Sequence, residues 1–324
     1  MSATGTFLSD MGDMQNVEQL VAAIETRNCT PGWIQRERPL MWPRSPSVFV
    51  PAHWRYSELK PALQAAGRVI GTDLAERRNF VLRNPIAGND FATTRTLVGA
   101  YQSILPGEQA RSHRHSAHAL RVILESRGSY SVVSGKRHPM ESGDIVLTPG
   151  GCWHGHGHDG AEQAYWFDCL DLPLVQLLEP MHFEEYPGGW ETDIEVVETS
   201  PMRITWQEIC SGLDRAEADP LLGPSIDCTS SLMPTITIHV HRWTAGWTHA
   251  AYRHRANEIH VVLRGRGRSE VGEARFAWQF GDVFTAPLGV RIRHRADEDA
   301  IVVTLSDEQL MRECRFYERQ VLES

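Results

Sequence analysis

No apolar run in this 324-residue sequence approaches the ~18 residues that a membrane-crossing helix requires, so no transmembrane helix is expected. The N-terminus, M-S-A-T-G-T-F-L-S-D, lacks the basic start and apolar core of a secretory leader, and no signal peptide is expected. Basic residues are outnumbered, 32 Lys and Arg against 41 Asp and Glu. The resulting formal charge of −9 argues against a nucleic-acid or anionic-membrane partner, since either favours a basic face. Cysteine is sparse. The six (Cys29, Cys152, Cys169, Cys210, Cys228 and Cys314) show no CxxC spacing, which points to a reduced, cytoplasmic enzyme.

What is present fits two domains of ordinary size. Residues 15–27 carry a helical pattern, with Val17, Leu20, Val21 and Ile24 on one face. A Pro/Trp-rich stretch follows over 31–51, then a helix start at Ser57 and a strand over 76–82. From about 93 to 173 short apolar runs alternate with Gly/Pro turns, the pattern of a jelly-roll β-barrel. Strands are predicted at 96–104, 119–124, 130–133, 144–148 and 163–170, and a short helix at 205–213.

A second barrel repeats the first at an interval of about 139 residues, a tandem duplication. Gly246, Tyr252 and His254 repeat the spacing of Gly107, His113 and His115, and Gly281, Pro287 and Gly289 repeat Gly143, Pro149 and Gly151. The expected organisation is an N-terminal arm (1–75), a first barrel (76–185), a connector (186–230), a second barrel (231–306) and a C-terminal helix (307–324). The fold class is therefore mainly β, two tandem jelly-roll barrels with a helical and irregular N-terminal arm.

Histidine marks the chemistry. Seven of fifteen lie between His113 and His158. His113 and His115 are i and i+2, so in a strand both rings enter one cavity, and the turn at Pro149-Gly150-Gly151 delivers His154 from a neighbouring strand. These spacings resemble the two signatures of the cupin superfamily, G-x5-H-x-H-x3,4-E-x6-G and G-x5-P-x-G-x2-H-x3-N, at Gly107, His113, His115 and Gly128 and at Gly143, Pro149, Gly151 and His154. Arg121 stands where the resemblance expects a metal-binding Glu, and His158 replaces the final Asn. Three imidazoles without a carboxylate leave a divalent ion its full charge, which favours a bidentate anionic ligand such as a carboxylate with an adjacent phenolic oxygen. A cavity-facing Arg121 suits that ligand. His118, His138 and His158 lie off the motif positions and read as structural. In the second barrel Tyr252 and Ile292 replace two ligands, while His254 survives with Glu258 or His260 nearby, so that barrel reads as structural and metal-free. His239, His241, His249 and His294 read there as ordinary hydrogen-bonded or surface residues.

Beyond the superfamily, residues 40–306 resemble gentisate 1,2-dioxygenases and their salicylate-cleaving relatives. The resemblance is carried by V-P-A-H-W-R-Y-S-E-L-K-P (50–61), E-R-R (76–78), L-P-G-E-Q-A-R-S-H-R-H (105–115), A-L-R-V-I-L-E (119–125), T-P-G-G-C-W-H-G-H-G (148–157) and W-F-D-C-L-D-L-P (166–173). It implies one Fe(II) per subunit in the first barrel, held by His113, His115 and His154. It implies an aromatic acid substrate that chelates iron through carboxylate and 2-hydroxyl and is opened between C1 and C2 by O2, as part of aromatic-compound catabolism. It implies Gln102 and His156 beside the metal, Asp168 accepting a hydrogen bond from His156, and Arg121 with one of Arg77 or Arg78 holding the carboxylate. It also implies a homo-oligomer, a tetramer.

The stretch 93–100 departs from the relatives, with Arg95 where they carry Asn and Val98 where they carry Trp. Arg95, Val98 and Ala100 are therefore expected to shape the substrate pocket, and a 5-substituted salicylate such as gentisate or 5-nitrosalicylate is the expected substrate. The competing readings are a Zn(II) or Mn(II) isomerase or hydrolase on the same fold, and a non-catalytic small-molecule-binding bicupin.

Overall fold

The computed structural model describes residues 14–33, 41, 47–72 and 74–322. Within residues 1–46, one compact unit, the helix α1 (Val17–Glu25) starts at Asn16, whose side chain accepts from Glu18 N at 2.9 Å and Gln19 N at 3.2 Å. Most of the Pro/Trp-rich stretch before residue 47 lies outside the described residues.

The second unit, 47–324, holds both barrels. It opens with β1 (His53–Trp54) and α2 (Tyr56–Val69), followed by β2 (Arg78–Val81), β3 (Val98–Ile104), β4 (Gln109–His115) and β5 (Ala119–Glu125). Next come β6 (Ser129–Val133), β7 (Lys136–Met140), β8 (Ile145–Thr148), β9 (His154–His158) and β10 (Ala164–Leu170). A connecting region carries α3 (Leu172–Leu178), β11 (Phe183–Glu185), β12 (Glu195–Val196), β13 (Arg203–Ile204) and α4 (Trp206–Arg215). The first barrel packs the sheet β13-β8-β5-β10-β3-β2 against the sheet β11-β4-β9-β6-β7-β12.

The second barrel follows with β14 (Ala218–Asp219), β15 (Gly223–Asp227), β16 (Thr237–Trp243), β17 (Tyr252–His254), β18 (Glu258–Arg264) and β19 (Arg266–Val271). It closes with β20 (Ala274–Gln279), β21 (Val283–Ala286), β22 (Ile292–Ala296), β23 (Ala300–Ser306), α5 (Glu308–Glu313) and β24 (Arg319–Val321). Its sheets run β1-β21-β18-β23-β16-β15-β14 and β20-β19-β22-β17-β24.

Side chains on each strand alternate between two buried environments, which is why β5 reads as an almost unbroken apolar run. Leu120, Val122 and Leu124 of β5 and Tyr165, Phe167 and Cys169 of β10 join Ile259, Val261, Ile301, Val303 and Leu305 in one core that lies between the barrels. The other parity faces the first barrel's interior, where Ile104, Ile123, Met140, Val146, Ala164 and Trp166 fill one end. Arg121 and Asp168 share that inward parity, so polar chemistry occupies the rest of the same interior.

Three expectations need correction. Residues 1–75 are not an arm apart from the barrels: β1 pairs with β21 and is part of the second barrel's sheet. The region before 231 already contributes β14 and β15 to that sheet. The C-terminal helix is only six residues long, after which the chain returns as β24 along β17. Helix α4 falls where expected and gains a capping box from Thr205 and Glu208.

Candidate metal centre

Strand β9 reads His-Gly-His-Gly-His because its two faces meet different neighbours. A Cβ at Gly155 would lie 2.7 Å from the Ser112 hydroxyl and one at Gly157 2.2 Å from that of Tyr130. Only glycine fits on that side, and His154, His156 and His158 share the other. His154 stands directly across from His113 of β4, and His115 follows two residues on. The ring centroids of His113 and His154 are 4.4 Å apart, of His115 and His154 4.8 Å, and of His113 and His115 5.5 Å.

Among the described residues this is the group of three whose ligand atoms all lie within 4.8 Å of one another. Each ring has its Nδ1 at a backbone carbonyl, Arg111 O at 3.3 Å for His113, Ala117 O at 2.8 Å for His115 and Cys152 O at 3.1 Å for His154. Those contacts assign the proton to Nδ1 and leave Nε2 as the lone-pair donor. Burial holds all three below the ordinary histidine pKa, helped by the charge of Arg121 at each and of Arg77 at His113 and His115, and brings His113 down to about 3. Three neutral imidazoles with fixed tautomers fit a divalent transition metal.

Beside the three histidines lies a buried polar group. Arg121 Nε is 3.4 Å from Asp168 Oδ1, and its Nη1 donates to Thr148 Oγ1 at 2.7 Å. Asp168 also accepts from Trp166 Nε1 at 3.1 Å and from the Gln102 amide. The expected bond from His156 to Asp168 is absent: both His156 ring nitrogens are buried without a partner, because Gln102 and Trp166 occupy the carboxylate. Burial holds the His156 pKa well below its usual value, with Arg121 and Arg77 adding to it, so this ring is neutral.

Of the two candidate arginines, Arg78 is spent elsewhere, donating to Ile70 O at 3.1 Å and pairing with Glu108. Arg77 instead carries a buried Nη1 without a partner, and its charge acts on His113, His156 and Asp168. Val98 and Ala100 lie on β3 with the parity of Gln102, and Ala100 is directly opposite Asp168. Arg95 does not join them. It is exposed in a bend before β3, with its guanidinium 4.9 Å from the Phe49 ring centre.

Three contributors were not anticipated. Thr148 and Trp166 share the inward parity of Val146 and Asp168, a signal readable once the strands are assigned. Phe183, stacked on His113 at 5.4 Å, comes from β11, where nothing in the sequence marks it. The off-motif histidines are structural as expected: His118 Nδ1 accepts from Gly150 N at 2.9 Å, His138 Nε2 meets Ser200 Oγ at 3.1 Å, and His158 contacts Glu162 O.

Two jelly-roll barrels with a three-imidazole centre in the first define a bicupin enzyme. Residues 100–170 match the cupin domain family. The chain is 31% identical over 308 residues to 5-aminosalicylate 1,2-dioxygenase of Comamonas sp, covering 84% of this chain and 82% of that one. It is 28% identical over 337 residues to gentisate 1,2-dioxygenase 1 of Aquipseudomonas alcaligenes, covering 93% and 95%. A crystal structure of salicylate 1,2-dioxygenase from Pseudoaminobacter salicylatoxidans with gentisate superposes with a TM-score of 0.83, at 25% identity, covering 96% of this chain and 95% of that one. The chain belongs to the gentisate and salicylate 1,2-dioxygenase family of ring-cleaving oxygenases.

Proposed function

We propose that this enzyme uses Fe(II) at His113, His115 and His154 to open the C1–C2 bond of gentisate or another 5-substituted salicylate with O2. The observation that carries the reading is a set of buried polar atoms without partners: Arg77 Nη1, Arg121 Nε, Gln102 Oε1 and both nitrogens of His156. Leaving a buried donor or acceptor unmade costs about 1–3 kcal/mol each. A ligand bearing a carboxylate beside a hydroxyl supplies their partners.

A ferrous ion held there supplies coordination positions for a chelating aromatic acid and for O2. Arg121 and Arg77 bind the carboxylate and keep their charge throughout. Neutral His156 takes the proton of the 2-hydroxyl, and Gln102 Oε1 accepts from a substrate hydroxyl. Asp168 holds Arg121 and Gln102 in place. Val98 and Ala100 leave room for the ring substituent, and Arg95, stacked on Phe49, takes no part in this pocket.

The enzyme acts as a homotetramer in the cytoplasm in aromatic-compound catabolism. All six cysteines are free, and among the described residues no helix is long and apolar enough to cross a membrane. The test is O2 uptake by iron-stripped and iron-reconstituted protein with salicylate and its 5-hydroxy, 5-amino, 5-nitro and 5-chloro forms. Uptake that returns only with Fe(II) and favours one or two substituents is expected. No uptake with any of them overturns the reading, and equal rates for all remove the pocket assignment.

A further inference from the structure

His118 is not a ligand of the three-histidine centre, but its side chain joins the two loops that carry ligands. Residues 116–118 follow His115 at the end of β4, and the turn 149–151 leads to His154 at the start of β9. The two loops meet closely. A Cβ on Gly150 would lie 2.2 Å from Ser116 O, and Gly151 N donates to His115 O at 2.8 Å. A side chain supplies the third link, with Gly150 N donating to His118 Nδ1 at 2.9 Å. A backbone N–H can only donate, so His118 Nδ1 carries the lone pair and Nε2 the proton. That is the opposite tautomer from His113, His115 and His154.

The same two loops also orient the ligands. His115 Nδ1 is held by Ala117 O at 2.8 Å, and His154 Nδ1 by Cys152 O at 3.1 Å. A shift of either loop therefore turns one imidazole and carries its Nε2 away from the other two. His118 is held in turn from outside the centre. Its N–H donates to Asp171 Oδ1 at 2.8 Å, and its carbonyl accepts from Asp171 N at 3.3 Å. The other carboxylate oxygen, Oδ2, accepts from Thr235 Oγ1 at 2.6 Å. Asp171 is only 2% exposed and Thr235 lies just ahead of β16, so this carboxylate is fixed from both barrels.

We propose that His118 is a positioning residue for the metal centre, locking the His115 loop to the His154 turn through Gly150, with Asp171 as its anchor. The role rests on the reading that His113, His115 and His154 hold the metal. Removing the acceptor leaves the Gly150 N–H unpaired in a part-buried turn, which the turn relieves by moving. Loss of a support of this kind weakens metal affinity about 10–100-fold.

The experiment measures the Co(II) affinity of full-length, metal-stripped protein by chelator competition, with the visible cobalt spectrum reporting ligand geometry. His118→Leu is expected to weaken Co(II) binding about 10–100-fold and to change the spectrum. His118→Asn is expected to return both towards wild type, because Asn Oδ1 stands where Nδ1 did and accepts from Gly150 N. A general loss of packing would not be rescued in this way. Asp171→Ala should weaken binding in the same direction. Circular dichroism verifies folding; His118→Gln, whose acceptor lies one bond further out, replaces an unfolded His118→Leu, and Thr235→Val an unfolded Asp171→Ala. Folded His118→Leu binding Co(II) as tightly as wild type, or His118→Asn as weak as His118→Leu, overturns the proposal and leaves the three-histidine centre standing. Unchanged affinity in folded Asp171→Ala overturns the anchor. Wild type that binds no Co(II), or binding that survives in folded His113→Ala/His154→Ala, overturns the metal reading and the role of His118 with it.

Discussion

Replacing Asp168 with Asn tests the polar core of the front barrel most sharply. The change keeps the shape and an acceptor for Trp166 Nε1 but removes the charge facing Arg121 at 3.4 Å. Arg121 and Asp168 are only 2% and 4% exposed, so water cannot compensate. Breaking a buried pair from one side costs about 3–5 kcal/mol, because the other charge stays behind. At roughly 2 °C per kcal/mol for a chain of this size, Tm should fall about 6–10 °C. The pair itself is not a strong source of stability. Burial raises the carboxyl of Asp168 above its usual range despite both arginines, and lowers the guanidinium of Arg121 to about 10 despite Asp168. Desolvation therefore outweighs the mutual attraction, and Arg121→Met/Asp168→Asn should recover most of the lost stability. Activity should not return in the double variant, because the proposed function gives the Arg121 guanidinium the substrate carboxylate. Thermal and urea melts of the two single variants, the double variant and wild type, alongside O2 uptake, give the full cycle. An Asp168→Asn loss below about 1 kcal/mol, or a double variant as unstable as the sum of the singles, refutes the reasoning.

His156→Ala should lower kcat by roughly 10²–10⁴ while bound iron, measured by metal analysis, stays at the wild-type level; unchanged turnover would remove the proton role. His138 is held down to about 4 by burial, then by Arg203 and Lys136. Only the unfolded chain protonates it between pH 6.5 and 4, so its contribution, up to about 3 kcal/mol, is lost as pH falls through that window. His138→Gln should flatten the Tm profile there, and parallel profiles would contradict this. Thr205→Ala removes the capping box of α4 and should cost about 1 kcal/mol in urea melts without changing kcat.

The three-histidine cluster was legible because strand parity and turn chemistry act locally: His113 and His115 two residues apart, and a Pro-Gly-Gly turn ahead of His154. Arg121 was legible as the one charge inside an apolar strand. The partner of Asp168 was not, because three donors compete for that carboxylate and packing decides among them. Arg95 was expected in the pocket only from a difference in the stretch 93–100, and such a difference does not say where the side chain lies: it is exposed in a bend, with its guanidinium over the Phe49 ring. Strands as short as β1 and β24 carry no usable periodicity, so neither could be read before the partner strands were in place.

The placement of β1 has a consequence for biosynthesis. His53 meets Asp282 at 3.1 Å across 229 residues of chain, and Ala52 N bonds Thr285 Oγ1 at 3.1 Å. A ribosome adding about 5–20 residues per second delivers that partner some tens of seconds after the early segment emerges. The leading end of the polypeptide thus waits for the trailing barrel, and the two lobes are stitched together by a strand that neither can complete alone. A protease cut in the connector should accordingly leave fragments that still migrate as one particle.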